Sequence, residues 1–226
     1  MRLFIFPIGF HEDFAIRTLN KFSASKEDKI IAITLSPAVN ATKNAFNSLS
    51  LNAQRIGISD INLIEIDSTD FSKVVMTIIK KFNELNIIPE QIIIDTSGGL
   101  RIFDLALFFS GFLLSLKGFK STLIIQPESA NYETTSLDLR DLLNILRLDA
   151  SSIEIINQVD VNEGSTIEEL SAKLNVADKT IRNKISELKK LNLIMQKGRG
   201  QGIYLTDLGL LVKELNKVQG IGEIDE

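Results

Sequence analysis

IIIDTSGGLRIF, residues 92–103, reads as a buried strand that stops abruptly and a helix that starts at once. Three isoleucines run into Asp95, Thr96 and Ser97. Gly98, Gly99 and Arg101 follow, and an apolar run of helical length comes next. A glycine pair is what a tight strand-to-helix turn asks for, because glycine alone turns freely with no Cβ. The same junction leaves first-turn amides unpaired. It therefore poses a structural question and a chemical one together.

Working outward, the strand-then-helix unit repeats. RLFIF (2–6), KIIAIT (29–34), INLIEI (61–66), QIIIDT (91–96) and STLIIQ (121–126) are short and almost continuously apolar, as strands covered on both faces are. Between them lie HEDFAIRTLNKF, AVNATKNAFNSLSLNAQRIG, DFSKVVMTIIKKFNEL and LRIFDLALFFSGFLLSLKG, each of helical length. Such alternation predicts an α/β fold with a Rossmann-like parallel sheet and flanking helices. Ser68, Thr69 and Asp70 supply capping chemistry ahead of the third helix, and Gly118 closes the fourth. Beyond Ile125 comes a loop or hairpin around Pro127 and Asn131, with a strand expected within 132–137.

The rhythm then changes. RDLLNILRL (140–148) is a short amphipathic helix suited to connect two domains. SSIEIINQV and TIEELSAKL are helices, the second capped by Ser165 or Thr166, and DKTIRNKISELKKL is a third. LNLIMQKGRGQGIYLT reads as two short strands around a glycine-rich tip, and DLGLLVKELNKV closes the series. Helix, turn, basic helix, hairpin is the order of a winged helix-turn-helix. The expected division is a Rossmann-like domain over 1–139, a linker helix over 140–149, a winged-helix domain over 150–219 and an acidic tail over 220–226.

Composition removes much enzymology. The 226 residues are 44% hydrophobic and 24% charged, without low-complexity segments. There is no cysteine, so disulfides, thiolate metal sites and cysteine nucleophiles are excluded. His11 is the only histidine, which removes histidine-rich metal sites; no metal and no catalytic residue is assigned. The most apolar stretch is broken by Asp104 and Lys117 and falls short of a membrane span. The first residues are too briefly apolar for a signal peptide, so the expected location is the cytoplasm.

The net charge of −4 hides a patch: Lys173 to Arg199 holds eight basic residues against Asp178 and Glu187 alone. On the third C-terminal helix Ile181, Ile185, Leu188 and Leu191 form an apolar stripe. Lys179, Thr180, Arg182, Asn183, Lys184 and Ser186 fall mainly off it, a mixture suited to phosphates and base edges in a major groove. Lys197 and Arg199 stand between glycines at the hairpin tip, where minor-groove or phosphate contact is expected. The implied partner is double-stranded promoter DNA, and the bland alternative is a protein-binding winged helix.

In a parallel sheet, ligands bind outside the carboxyl ends of the strands. Two loops there carry chemistry: PIGFHEDF after the first strand and DTSGGLR after the fourth. Amides, hydroxyls and Arg101 suit an anion at a helix start, although no GxGxxG or GxxxxGK[ST] accompanies them. Asp95 reads as a strand-end hydrogen-bonding residue, and His11 as a surface or capping residue.

PIGFHEDFAIR, DTSGGLR and the winged-helix order together resemble the CRISPR-associated transcription regulators of archaea, the CARF–winged-helix proteins. The resemblance spans essentially the whole chain. It implies a homodimer that binds a cyclic oligoadenylate, typically cyclic tetra-adenylate, and regulates CRISPR-associated genes. By position it implies that Gly9, Phe10, His11, Thr96, Ser97, Gly98, Gly99 and Arg101 line the ligand, with Leu35, Ser36 and Pro37 as weaker candidates. Two other readings stay open: a metal-independent ring nuclease that cleaves the same ligand, and a ligand-independent protein-interaction scaffold.

Overall fold

The computed structural model describes residues 1–128, 133–196 and 202–218. It divides into two compact units, Met1–Arg140 and Asp141–Glu226.

The first unit is built on a six-stranded sheet. Its strands are β1 (Arg2–Pro7), β2 (Lys29–Leu35), β3 (Ile61–Ile66), β4 (Gln91–Asp95), β5 (Ser121–Ile125) and β6 (Thr135–Asp138), in the order β3-β2-β1-β4-β5-β6. The first five run parallel. β6, at the place of the strand expected within 132–137, pairs antiparallel with β5 as a hairpin does, Thr122 opposite Asp138 and Ile125 opposite Thr135. A short connection allows only that, since a parallel return needs a long crossover. The helices α1 (Asp13–Lys21), α2 (Asn40–Arg55), α3 (Phe71–Glu84) and α4 (Arg101–Leu116) link the parallel strands.

Strand composition follows burial. The isoleucines of β4 are wholly buried, as are Leu3 to Phe6 of β1 and Ile30 to Ile33 of β2. β3 lies at an edge, and there Asn62 and Glu65 face solvent. One face of the sheet packs Phe4, Phe6, Ile30, Ala32 and Ile93 under Ala15 and Leu19 of α1 and Ala45, Leu49 and Ala53 of α2. α3 and α4 pack together on the other side, with Phe71 and Phe109 rings 5.7 Å apart. At the amino end of the sheet Arg2 clamps buried Asp28 at 2.6 Å. Burial pushes that carboxyl up, but the Arg2 guanidinium and the Ser25 and Arg2 amides outweigh it and hold it low.

The second unit holds α5 (Leu139–Leu146) from Asp141 onward, α6 (Ala150–Gln158), α7 (Ile167–Leu174), α8 (Asp178–Lys190), β7 (Ile194–Gln196), β8 (Ile203–Leu205) and α9 (Asp207–Leu215). Thr166 and Glu169 form a reciprocal capping box at the start of α7. Asn175 takes the left-handed conformation (φ 52°) that ends α7 and lets α8 begin. β7 and β8 are an antiparallel hairpin, extended by a bridge between Ser165 and Ile203. Ile155, Ile156, Leu170, Ile181, Ile185, Leu188 and Val212 form one core with the hairpin's Ile194, Ile203 and Leu205. The expected hairpin tip with Lys197 and Arg199, and the acidic tail, lie outside the described residues.

Candidate functional site

β1 pairs with β2 on one side and β4 on the other, so the strand order reverses at β1. The crevice beyond the carboxyl ends of the strands at such a reversal is the usual ligand position of open α/β sheets. A cavity of about 460 Å³ lies there, lined by residues 8–11, Phe14, Thr34, Leu35, Pro37, Val39, Thr42 and residues 97–100.

Two loops frame it. Gly9 and Gly99 bring their backbones together: a Cβ on Gly9 would stand 3.2 Å from the Gly99 Cα. Gly99 has φ +80°, and a Cβ there would meet Pro7 Cβ at 2.9 Å. Glycine is therefore required at that turn on both counts. Gly98 is roomier, its added Cβ reaching only ordinary contact with Phe14 at 3.5 Å.

The helices around the cavity are left open. α1, α2 and α4 begin at Glu12, Val39 and Leu100 with no side-chain cap, whereas α3, at the same edge, is capped by Asp70. Among the described residues, the five consecutive amides from Gly98 to Ile102 donate to no protein acceptor. The amide of Ala38, just ahead of α2, is held by the Glu65 carboxylate at 2.8 Å. Uncapped helix starts expose donors and the positive end of the dipole.

Beneath the turn is a buried polar network. Asp95 accepts from the Thr18 hydroxyl at 2.5 Å, from the Gln126 amide at 2.5 Å and from the Ser97 backbone at 2.9 Å. Gln126 also donates to the Phe14 carbonyl, and its own amide donates to the Ser97 hydroxyl at 2.7 Å. Burial pushes the Asp95 carboxyl up, opposed by the Ser97, Thr18 and Gln126 bonds. These contacts give Asp95 the strand-end hydrogen-bonding place its sequence position indicates. Asp104, half-buried in the first turn of α4, is raised to about 7 by burial and then by the Asp95 charge, against the pull of Arg101.

Of the residues singled out from sequence, Gly9, Phe10, His11, Ser97, Gly98 and Gly99 line the cavity together with Leu35 and Pro37. Thr96 and Arg101 do not: the Thr96 hydroxyl turns to the Ile124 carbonyl at 3.4 Å, and Arg101 is exposed at the start of α4. His11 is exposed and caps no helix. Phe14, Thr34, Val39, Thr42 and Leu100 line the cavity without having been singled out. Their apolar or β-branched types look like core in a sequence, and only the fold brings them to the crevice.

In the second unit, α8 buries Ile181, Ile185 and Leu188, and Leu191 just beyond it is half-buried. Lys179, Thr180, Arg182, Asn183 and Ser186 are exposed, and Lys190 falls on the same outward side at helical spacing. Arg182 is loosely paired with Glu168 at 3.7 Å. Lys184 differs: its ammonium sits 2.6 Å from Asp149, the N-cap of α6, and 3.2 Å from Glu187. α8 begins at Ala177 with no side-chain cap, while α6, α7 and α9 are capped by Asp149, Thr166 and Thr206.

Comparison with known proteins agrees with this architecture. The model of the Csa3 CRISPR-associated Rossmann-like domain matches residues 2–138, and that of the DeoR-like helix-turn-helix domain matches residues 153–207. The CRISPR locus-related protein Csa3 of Saccharolobus solfataricus is 32% identical over 218 residues, which is 96% of this chain and 90% of that one. Two solved structures overlap more loosely. Protein VC1899 from Vibrio cholerae has 13% identity, 94% of this chain and 64% of that one covered, and a TM-score of 0.41. Enterococcus italicus Csm6 bound to cyclic hexa-2'-fluoro-hexa-dAMP has 13% identity, coverages of 84% and 52%, and a TM-score of 0.47. This chain spans less than two thirds of either structure's length, and overlaps this loose carry no functional argument. The match across the whole α/β unit, and the relative aligned along nearly the full length of both chains, place this protein in the Csa3 family of CRISPR-associated Rossmann-like proteins, with a DeoR-like helix-turn-helix domain following.

Proposed function

We propose that this protein is a dimeric DNA-binding regulator of CRISPR-associated genes, whose α/β domain senses a cyclic oligoadenylate, with cyclic tetra-adenylate as the expected form. The observation that carries the ligand reading is the convergence of three uncapped helix starts on one crevice, with the free amides of residues 98–102 at its rim. Free amides at a helix start suit phosphate, and apolar walls suit bases. The sensing domain comprises 1–139, residues 140–149 act as linker, and 150–219 bind DNA. The exposed Lys179, Arg182, Asn183 and Ser186 of α8 meet the major groove, and Lys197 and Arg199, outside the described residues, supply further phosphate or minor-groove contacts.

Dimerisation is supported by α4. Leu105 is 60% exposed, Leu116 48% and Phe109 38%, on a helix that is apolar nearly all round. Exposed apolar surface of this kind marks an interaction face. A two-fold pairing along α4 brings together two copies of the turn that opens it, matching a cyclic ligand with symmetry of its own. It also presents two recognition helices to a palindromic operator. The test is calorimetric titration of the purified protein with cyclic tetra-adenylate, with and without promoter DNA from its own CRISPR locus. One ligand per dimer is expected; absence of heat and of any thermal shift from a folded, DNA-binding protein would remove the sensing role.

A further inference from the structure

Thr34 ends the inward-facing series Ile30, Ala32, Thr34 on β2, and Thr42 opens the series Thr42, Ala45, Leu49, Ala53 on α2. At both places the core pattern switches from hydrocarbon to hydroxyl where the element reaches the cavity. Thr34 is 5% exposed and Thr42 3%, and neither hydroxyl has a hydrogen-bond partner among the described residues. Both hydroxyls open onto the cavity, so a ligand that fills it and takes them out of solvent has to offer them polar atoms.

We infer that Thr34 and Thr42 form the polar floor of a nucleobase pocket and read the hydrogen-bonding edge of an adenine. This deepens the sensing role proposed above and rests on it. The walls are Phe10, Phe14, Leu35, Pro37, Val39 and Leu100, apolar surfaces that cover the faces of a base. Each hydroxyl both donates and accepts. An adenine edge offers an amino donor beside a ring-nitrogen acceptor, so both hydroxyls are satisfied at once. The 98–102 amides border the same cavity through Gly98, Gly99 and Leu100, where a phosphate attached to that base would lie. The volume of about 460 Å³ fits one nucleotide of a larger ring rather than the ring itself.

The test uses the full-length protein and its Thr34→Val and Thr42→Val variants, which keep shape and remove the hydroxyl. Each is titrated with cyclic tetra-adenylate and its melting temperature is measured without ligand. Each variant is expected to bind about three- to tenfold more weakly, the effect of losing one neutral hydrogen bond. Melting temperature and DNA affinity should stay as in the parent. Two variants that bind like the parent would overturn the inference while leaving the sensing role intact. A lower melting temperature in both free variants would mark the hydroxyls as structural and overturn it as well. A parent protein that binds no cyclic tetra-adenylate would remove the sensing role and this inference together.

Discussion

Gly9 and Gly99 lie against each other backbone to backbone, with 3.2 Å between the Gly99 Cα and the place a Cβ on Gly9 would take. Gly99→Ala forces a Cβ toward Pro7 at 2.9 Å and strains a backbone at φ +80°. We expect it to lower stability by about 1–3 kcal/mol and to abolish ligand binding. Gly98→Ala meets only ordinary contacts at 3.5 Å and should fold like the parent. Thermal melts of the two variants side by side check this; equal loss in both would contradict it.

Gln126→Leu leaves Asp95, buried at the foot of the ligand turn, with one donor fewer and removes the side-chain donor to the Phe14 carbonyl. A cost of about 1–3 kcal/mol is expected in denaturant unfolding. Because the backbone amide of residue 126 still reaches Ser97, the turn should loosen rather than unfold.

Asp104 makes stability depend on pH. Its carboxyl titrates near 7 in the folded chain, above its ordinary value of 3.8, because of burial and the nearby Asp95 charge. The folded state thus holds this proton more tightly than the unfolded one. That contribution is complete below the ordinary carboxylate value and is lost as pH rises through about 7. Asp104→Asn should flatten the pH 5–8 stability profile and stabilise the protein at pH 8 by on the order of 1 kcal/mol, since solvent screens a half-buried group. Denaturant titrations at several pH values measure it.

On α8 the cations divide. Lys179→Ala and Arg182→Ala should weaken DNA binding and each reduce the salt dependence by about one unit of slope. Lys184→Ala should change that slope less, because Lys184 is held by Asp149 at 2.6 Å. Its ammonium and the Ser152 bonds hold the Asp149 carboxyl below the usual range. DNA titrations at several salt concentrations separate these outcomes.

Leu105→Glu and Leu116→Glu place charge on the exposed apolar side of α4. Both should yield folded monomers by light scattering. A dimer that persists in both would place the two-fold contact elsewhere.

The strands were legible because parallel strands buried on both faces spell continuous isoleucine and phenylalanine runs; INLIEI gives β3 residue for residue. The entry to α1 was not: His11 and Glu12 look like a helix start, yet the helix begins at Asp13 with no side-chain cap. In the site, Gly9, Ser97, Gly98 and Gly99 announce themselves as turn chemistry. Thr34 and Thr42 do not, because threonine in a strand or helix interior is ordinary and its significance lies in having no partner. Lys184 was indistinguishable from Lys179 in sequence; its pairing with Asp149 spans 35 positions and exists only in the fold. Arg101 sits beside the glycine pair in sequence, but the first turn of α4 carries it out to solvent, away from the cavity lining.

β6 sets a distance. β5 ends at the ligand edge with Ile125, and antiparallel β6 carries the chain back until Asp138 stands opposite Thr122. The α/β unit therefore hands the chain onward from the edge opposite its crevice. Within this unit the crevice end of β5 stands roughly 16 Å, the length of five strand residues, from the strand end beside which the chain leaves. The sheet spaces the two rims, so side chains that line the crevice can change without touching the segment through which the chain leaves this unit.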